Sequence, residues 1–191
     1  MTRTVTALRA FALAAVLALS GASLASAKDY QGGVTIDQAP VPDTILYPTV
    51  PGSVAKLQSD GSAAAPALAP PEVQKAIWAA NKLIGKPYKW GGGHRRFNDT
   101  GYDCSGTVSF ALKGGGLLDS PLDSSSFMNW EEGGKGTWIT VYTNPGHAFT
   151  VIAGLRLDTS ASGDPSGNKG PRWRPVLRST AGFTARHPEG F

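Results

Sequence analysis

The chain contains one cysteine, Cys104, and three histidines, His94, His147 and His187. Cys104 lies in the segment YDCSG, between a loop holding Gly91, Gly92 and Gly93 and a run in which Cys104, Val108, Ala111 and Leu112 recur at helical spacing. That spacing predicts a helix with the cysteine in its first turn. There the unpaired backbone N–H groups and the positive end of the dipole favour the thiolate, the nucleophilic form. Asp103 opposes a second negative charge, so a thiolate needs a cationic neighbour. Alone, Cys104 would read equally well as a small buried core residue.

The best-placed histidine is His147, because it begins a segment of period two, His147 to Ala153, and a strand end holds a side chain more rigidly than a loop does. His94, in the glycine loop, and His187, near the terminus, read as surface residues. Leu155 to Thr159 continues the alternation after Ala153 and Gly154. A two-residue connection there sets Ile152 opposite Leu155 and Phe149 opposite Asp158, making His147 and Asp158 diagonal neighbours on one face, roughly 7–8 Å apart at the backbone. Asp158 could then orient the imidazole and stabilise its charged form. A slip of one residue would separate them onto opposite faces, leaving Asp158 solvent-exposed and paired with Arg156.

These groups need a scaffold. Pro71 suits the first position of a helix, Glu72 complements its dipole, and Val73, Ala76, Ile77, Ala80 and Ile84 form its apolar stripe before Gly85 and Pro87 stop it. Lys86 to Asp103 reads as an irregular loop lacking the Gly-Lys-Ser/Thr ending of a phosphate-binding loop. Asp123 caps a turn or two of helix ending by Trp130, and Glu131 to Gly136 is loop. Thr137 to Thr143 alternates as a strand antiparallel to His147 to Ala153. Ser160 to Gly170 is a loop that does not fit the calcium-binding template, and Arg172 to Leu177 and Gly182 to Ala185 are short strand candidates.

Composition fixes the outer frame. Residues 1–27 combine Arg3 and Arg9, an apolar core and the A-x-A site Ala25 to Ala27, a secretory signal too short to span a bilayer. Residues 28–70, rich in Gly, Pro, Ala and Ser, read as a flexible linker with a short extended piece around Thr44 to Val50; residues 71–191 form the folded domain. Losing Arg3 and Arg9 lowers the net charge from +4 to +2, so the basic balance says little about nucleic acid, and no nucleic-acid partner is expected. An exported chain with a single cysteine makes no internal disulfide, which raises the weight of a reactive thiol.

The order KPYKWGGG, YDCSG and PGHAF, followed by a polar residue on the next strand, resembles the NlpC family of papain-like bacterial cell-wall cysteine endopeptidases over Ala69 to Thr159. The resemblance implies an α+β fold in which N-terminal helices, one carrying the cysteine, pack on an antiparallel sheet carrying the histidine. It implies that Cys104 is the nucleophile, His147 the base and Asp158 the orienting group, and that Tyr88, Asp103 and Ser105 recognise the free amine of a stem-peptide L-alanine. The substrate would be a peptidoglycan stem peptide, cut between γ-D-glutamate and a diamino acid. A secreted, monomeric enzyme of the cell envelope follows, with no membrane anchor after signal cleavage and no metal or organic cofactor. The chain departs from the pattern at the third position, more usually His, Asn or Gln, and in a longer connection before His147. Two alternatives stand beside this reading: an N-acetylmuramoyl-L-alanine amidase of related fold, and a catalytically silent wall-binding protein.

Overall fold

In the computed structural model, residues 47–191 are described; the expected signal segment and the first part of the expected linker lie outside the described residues. Among the described residues no helix is long and apolar enough to cross a membrane.

Helix α1 spans Pro71–Asn81, with proline at its start and Val73, Ala76, Ile77, Ala79 and Ala80 buried. Ile84, assigned to the same stripe by spacing, lies past the helix end but still packs on the core. Helix α2 spans Cys104–Gly114 and buries Val108, Ala111 and Leu112. The two helices cross closely because glycines meet alanines and bare backbone: a Cβ on Gly114 would stand 2.0 Å from Ala79 Cβ, and one on Gly115 would stand 2.6 Å from Glu72 O. A short helix α3, Ser124–Phe127, is capped by the Asp123 carboxylate, which accepts from Ser126 N at 2.7 Å.

Residues 47–70 correct the expected linker boundary. They form strands β1 (Thr49–Val50), β2 (Lys56–Leu57) and β3 (Ala63–Pro66), in the order β1-β3-β2. The alanines of β3 are fully buried, and the Asn81 side chain, at the end of α1, accepts from Ala63 N at 2.8 Å and donates to Ala63 O at 2.9 Å. The segment has no large apolar side chain at regular spacing, so its sequence looks like linker. Its small side chains let backbone approach α1, and the contact that orders them is non-local.

The remaining strands are β4 (Glu132–Gly133), β5 (Ile139–Asn144), β6 (His147–Ile152), β7 (Leu155–Asp158), β8 (Arg172–Arg174) and β9 (Thr184–His187), in one six-stranded antiparallel sheet ordered β4-β9-β5-β6-β7-β8. The β6–β7 register is the expected one, with Ile152 opposite Leu155. Ala153 and Gly154 both take positive φ, 47° and 83°, as a two-residue connection between twisted strands requires. Several boundaries differ from the sequence reading, and β8 stops at Arg174 rather than Leu177. Glu132 and Gly133, expected in a loop, pair with β9, and the last strand runs Thr184–His187 rather than Gly182 to Ala185. Helix α2 packs on the sheet at β6 and β7, and α1 packs on α2 and β3, around a core including Val73, Ile77, Val108, Leu112, Ile139, Ile152, Leu157 and Trp173. This is the expected α+β, papain-like arrangement, with α2 lying against β6.

Candidate active site

The glycine loop is pressed onto the start of α2. A Cβ on Gly106 would stand 2.0 Å from Gly92 O, so two backbones touch where no side chain fits. Asp103 joins them: one carboxylate oxygen accepts from Gly106 N at 2.8 Å, capping α2, and the other from Gly91 N at 3.0 Å. Cys104 is therefore the first helical residue, partly exposed and not in a disulfide.

His147 is fixed from the other side. The Asn144 side chain accepts from Gly146 N at 3.0 Å and from His147 N at 2.9 Å, tightening the turn between β5 and β6. Nε2 of His147 donates to Asp158 Oδ1 at 2.9 Å, which leaves Nδ1 for the thiol. The Cys104 sulfur lies beside this imidazole and the Ala148 N–H. Burial alone would push the thiol up, but these two neighbours hold it below the ordinary thiol value. Burial likewise opposes the imidazolium, yet Asp158 and the thiol push His147 up to about 9. The two shifts together favour a thiolate–imidazolium pair.

Asp158 is buried, with 1% of its surface exposed, and is not the solvent-facing strand residue of the alternative reading. It accepts from Ser160 N at 2.8 Å and from Arg178 Nη1 at 3.2 Å, and Arg156 Nε lies 3.5 Å away. Burial raises its carboxyl, but His147 and the Ser160 N–H outweigh that and hold it below the usual carboxylate range. The Arg178 guanidinium also stacks over Phe149 and Phe183 at 5.2 and 5.3 Å.

A cavity of about 340 Å³ opens at the sulfur, bordered by Tyr88, His94, Asp103, Cys104 and Ser105. It brings together the three residues assigned to amine recognition. Asp103 and Ser105 are buried, however, and His94 lies over them, its Nε2 3.0 Å from the Asp103 carboxylate and 2.9 Å from Ser105 Oγ. His94 is thus part of the site, although 31% of its side chain remains exposed. The signal was its place directly after glycines that must lie against the cysteine helix. His187 stays with the sheet edge, its ring Nδ1 3.2 Å from Gly134 O. Of the arginines behind Asp158, Arg156 was a candidate partner by strand spacing, whereas Arg174 and Arg178 gave no sequence signal because they reach it from outside β7. Among the described residues no group of side chains suited to a metal ion occurs.

The α+β fold sets a helix-borne cysteine against a histidine on the facing sheet, the arrangement that the sequence resemblance implies. The resemblance to the NlpC family is supported by a curated relative: the chain is 56% identical over 46 residues to murein DD-endopeptidase MepH of Escherichia coli strain K12. That match covers 22% of this chain and 16% of the relative, so the chain spans a small part of that protein's length. Among solved structures, the peptidoglycan hydrolase RipB of Mycobacterium tuberculosis is 26% identical, with a TM-score of 0.45, over 62% of this chain and 65% of that one. No family model matches.

Proposed function

We propose that this chain is an exported peptidoglycan hydrolase, a cysteine endopeptidase acting on stem peptides, with Cys104 as nucleophile, His147 as acid and base, and Asp158 as orienting group. The observation that carries the reading is the Cys104 thiol at the mouth of α2, beside an imidazole whose far nitrogen donates to a buried carboxylate.

The thiolate attacks the amide carbon, and the Cys104 N–H, without a partner inside the helix, faces the developing oxyanion. The C–N bond breaks as the imidazolium passes its proton to the leaving nitrogen, giving a thioester. Neutral His147 then takes a proton from water, hydroxide attacks the thioester, and the acid product leaves with the thiolate and imidazolium restored. Tyr88, Asp103 and Ser105 border the acyl side, where a free stem-peptide amine displaces His94 from Asp103. The bond between γ-D-glutamate and the diamino acid is the proposed point of cleavage.

Digestion of purified peptidoglycan and defined stem peptides, read by mass spectrometry, tests this. Cross-linked dimers belong in the set because the E. coli relative is named a DD-endopeptidase. Cys104→Ala should abolish every new peptide end while leaving the fold unchanged. Full activity in that variant refutes the mechanism, and free muramoyl ends would make the enzyme an amidase.

A further inference from the structure

A second cavity, also of about 340 Å³, shares Tyr88 with the first and is lined by Tyr88, His147, Thr159, Ser160, Ala161 and Lys169. The two cavities divide the reacting groups: the first borders Cys104 without His147, the second borders His147 without Cys104. The acyl half of a substrate becomes bonded to sulfur, and the amine half receives its proton from the imidazole. The second cavity is therefore where the amine half lies.

Its charge is one-sided. No Asp or Glu lines it, and its cations are Lys169 and the His147 imidazolium. Behind the wall, Nη2 of Arg156 donates to Ser160 O at 3.3 Å and to Ser162 O at 2.9 Å. Arg174 bonds Asp158 O and the Asp164 carboxylate, and Arg178 bonds Asp158. Three guanidinium groups thus meet two carboxylates, Asp158 and Asp164, and hydrogen bonds hold both carboxyls low enough to stay ionised. Arg156 is fully buried, and its Nε and Nη1 have no hydrogen-bond partner among the described residues. A buried positive excess behind a polar wall attracts an anion, and it does so at greater range than an exposed lysine alone.

We propose that this cavity is the amine-side subsite and takes a substrate residue with a free carboxylate, held by Lys169 and the Ser160 hydroxyl. The assignment rests on the hydrolase reading above and adds to it the loop of residues 160–170 as a specificity element.

The test uses two peptides identical except that the residue after the scissile bond carries a carboxylate in one and a carboxamide in the other. The wild-type protein should favour the carboxylate by about five- to tenfold in kcat/KM, the worth of one charge-assisted hydrogen bond in a half-open site. Lys169→Ala should lower the ratio at least twofold through KM, and Lys169→Glu should lower it further. Lys135→Ala, which removes an equal charge elsewhere, should leave the ratio as in wild type. Calorimetry on Cys104→Ala protein with both peptides supplies an arm independent of turnover. If neither peptide is cleaved but the carboxylate form binds preferentially, the hydrolase reading falls and the subsite stands. Equal binding and equal turnover of the two peptides, or no binding and no turnover of either, overturns the subsite.

Discussion

The thiol of Cys104 and the imidazole of His147 are shifted in opposite directions, and this sets a pH window. With the thiol held below its ordinary value and His147 raised to about 9, the ion pair persists between those limits. Alkylation of Cys104 by a neutral reagent should be faster at pH 6 to 7 than that of an ordinary thiol and should slow as acid protonates the sulfur. Peptide hydrolysis should fall again as pH rises through about 9, where His147 loses the proton it must donate. A rate tracking an ordinary thiol, rising steadily past pH 9, would contradict the pair. Asp158 carries a different prediction. Its folded carboxyl titrates below the unfolded value, so the stability it adds is present above the unfolded pKa and is lost as pH falls through the folded one. Replacing it with alanine would leave the buried Arg156 and the partly buried Arg178 facing an empty site, and should cost about 3–5 kcal/mol in urea unfolding. A loss under about 1 kcal/mol would mean that the arginines are compensated elsewhere.

At the scale of elements, a few backbone approaches aim the site. The cysteine helix starts where Gly92 and Gly106 touch, and it is seated against α1 where Gly114 meets Ala79. Gly114→Ala puts a methyl group into space already filled and should destabilise the fold by about 1–3 kcal/mol. Gly146→Ala, whose nearest neighbour would be 3.8 Å away, serves as a control and should be close to neutral. Denaturant midpoints compare them directly, and equal midpoints would show that the helix crossing relaxes freely. The hairpin of β6 and β7 depends on a different device, the consecutive positive φ values at Ala153 and Gly154, which fix the register and so put His147 and Asp158 on one face.

Across the whole molecule, Asn81 links three parts of the fold. Its side chain holds both backbone groups of Ala63 in β3, and its Oδ1 also accepts from Trp173 Nε1 in β8 at 2.8 Å. Asn81→Ala strands three polar groups and should lower stability by about 1–3 kcal/mol, seen as a shift in the urea midpoint. Starting the chain at residue 71, where the sequence had suggested the domain begins, removes the buried alanines of β3 from the α1 face. That shortened chain should lose cooperative unfolding, and a sharp transition in it would return residues 47–70 to the status of linker.

Cys104 at a helix start, His147 at a strand start and the facing of Asp158 were legible in the chain because each depends on local period and on a turn of known length. The same is true of α1, the central hairpin and the Asp123 cap. What lay beyond the sequence depends on distant partners. The glycine loop folds back on α2 and brings His94 over Asp103, Asn81 orders an alanine-rich segment with no pattern of its own, and Arg174 and Arg178 join Arg156 behind Asp158 from outside β7. Local preference is written every two or every 3.6 residues, whereas these contacts pair residues whose spacing along the chain has no period, so only the closed tertiary structure could select them.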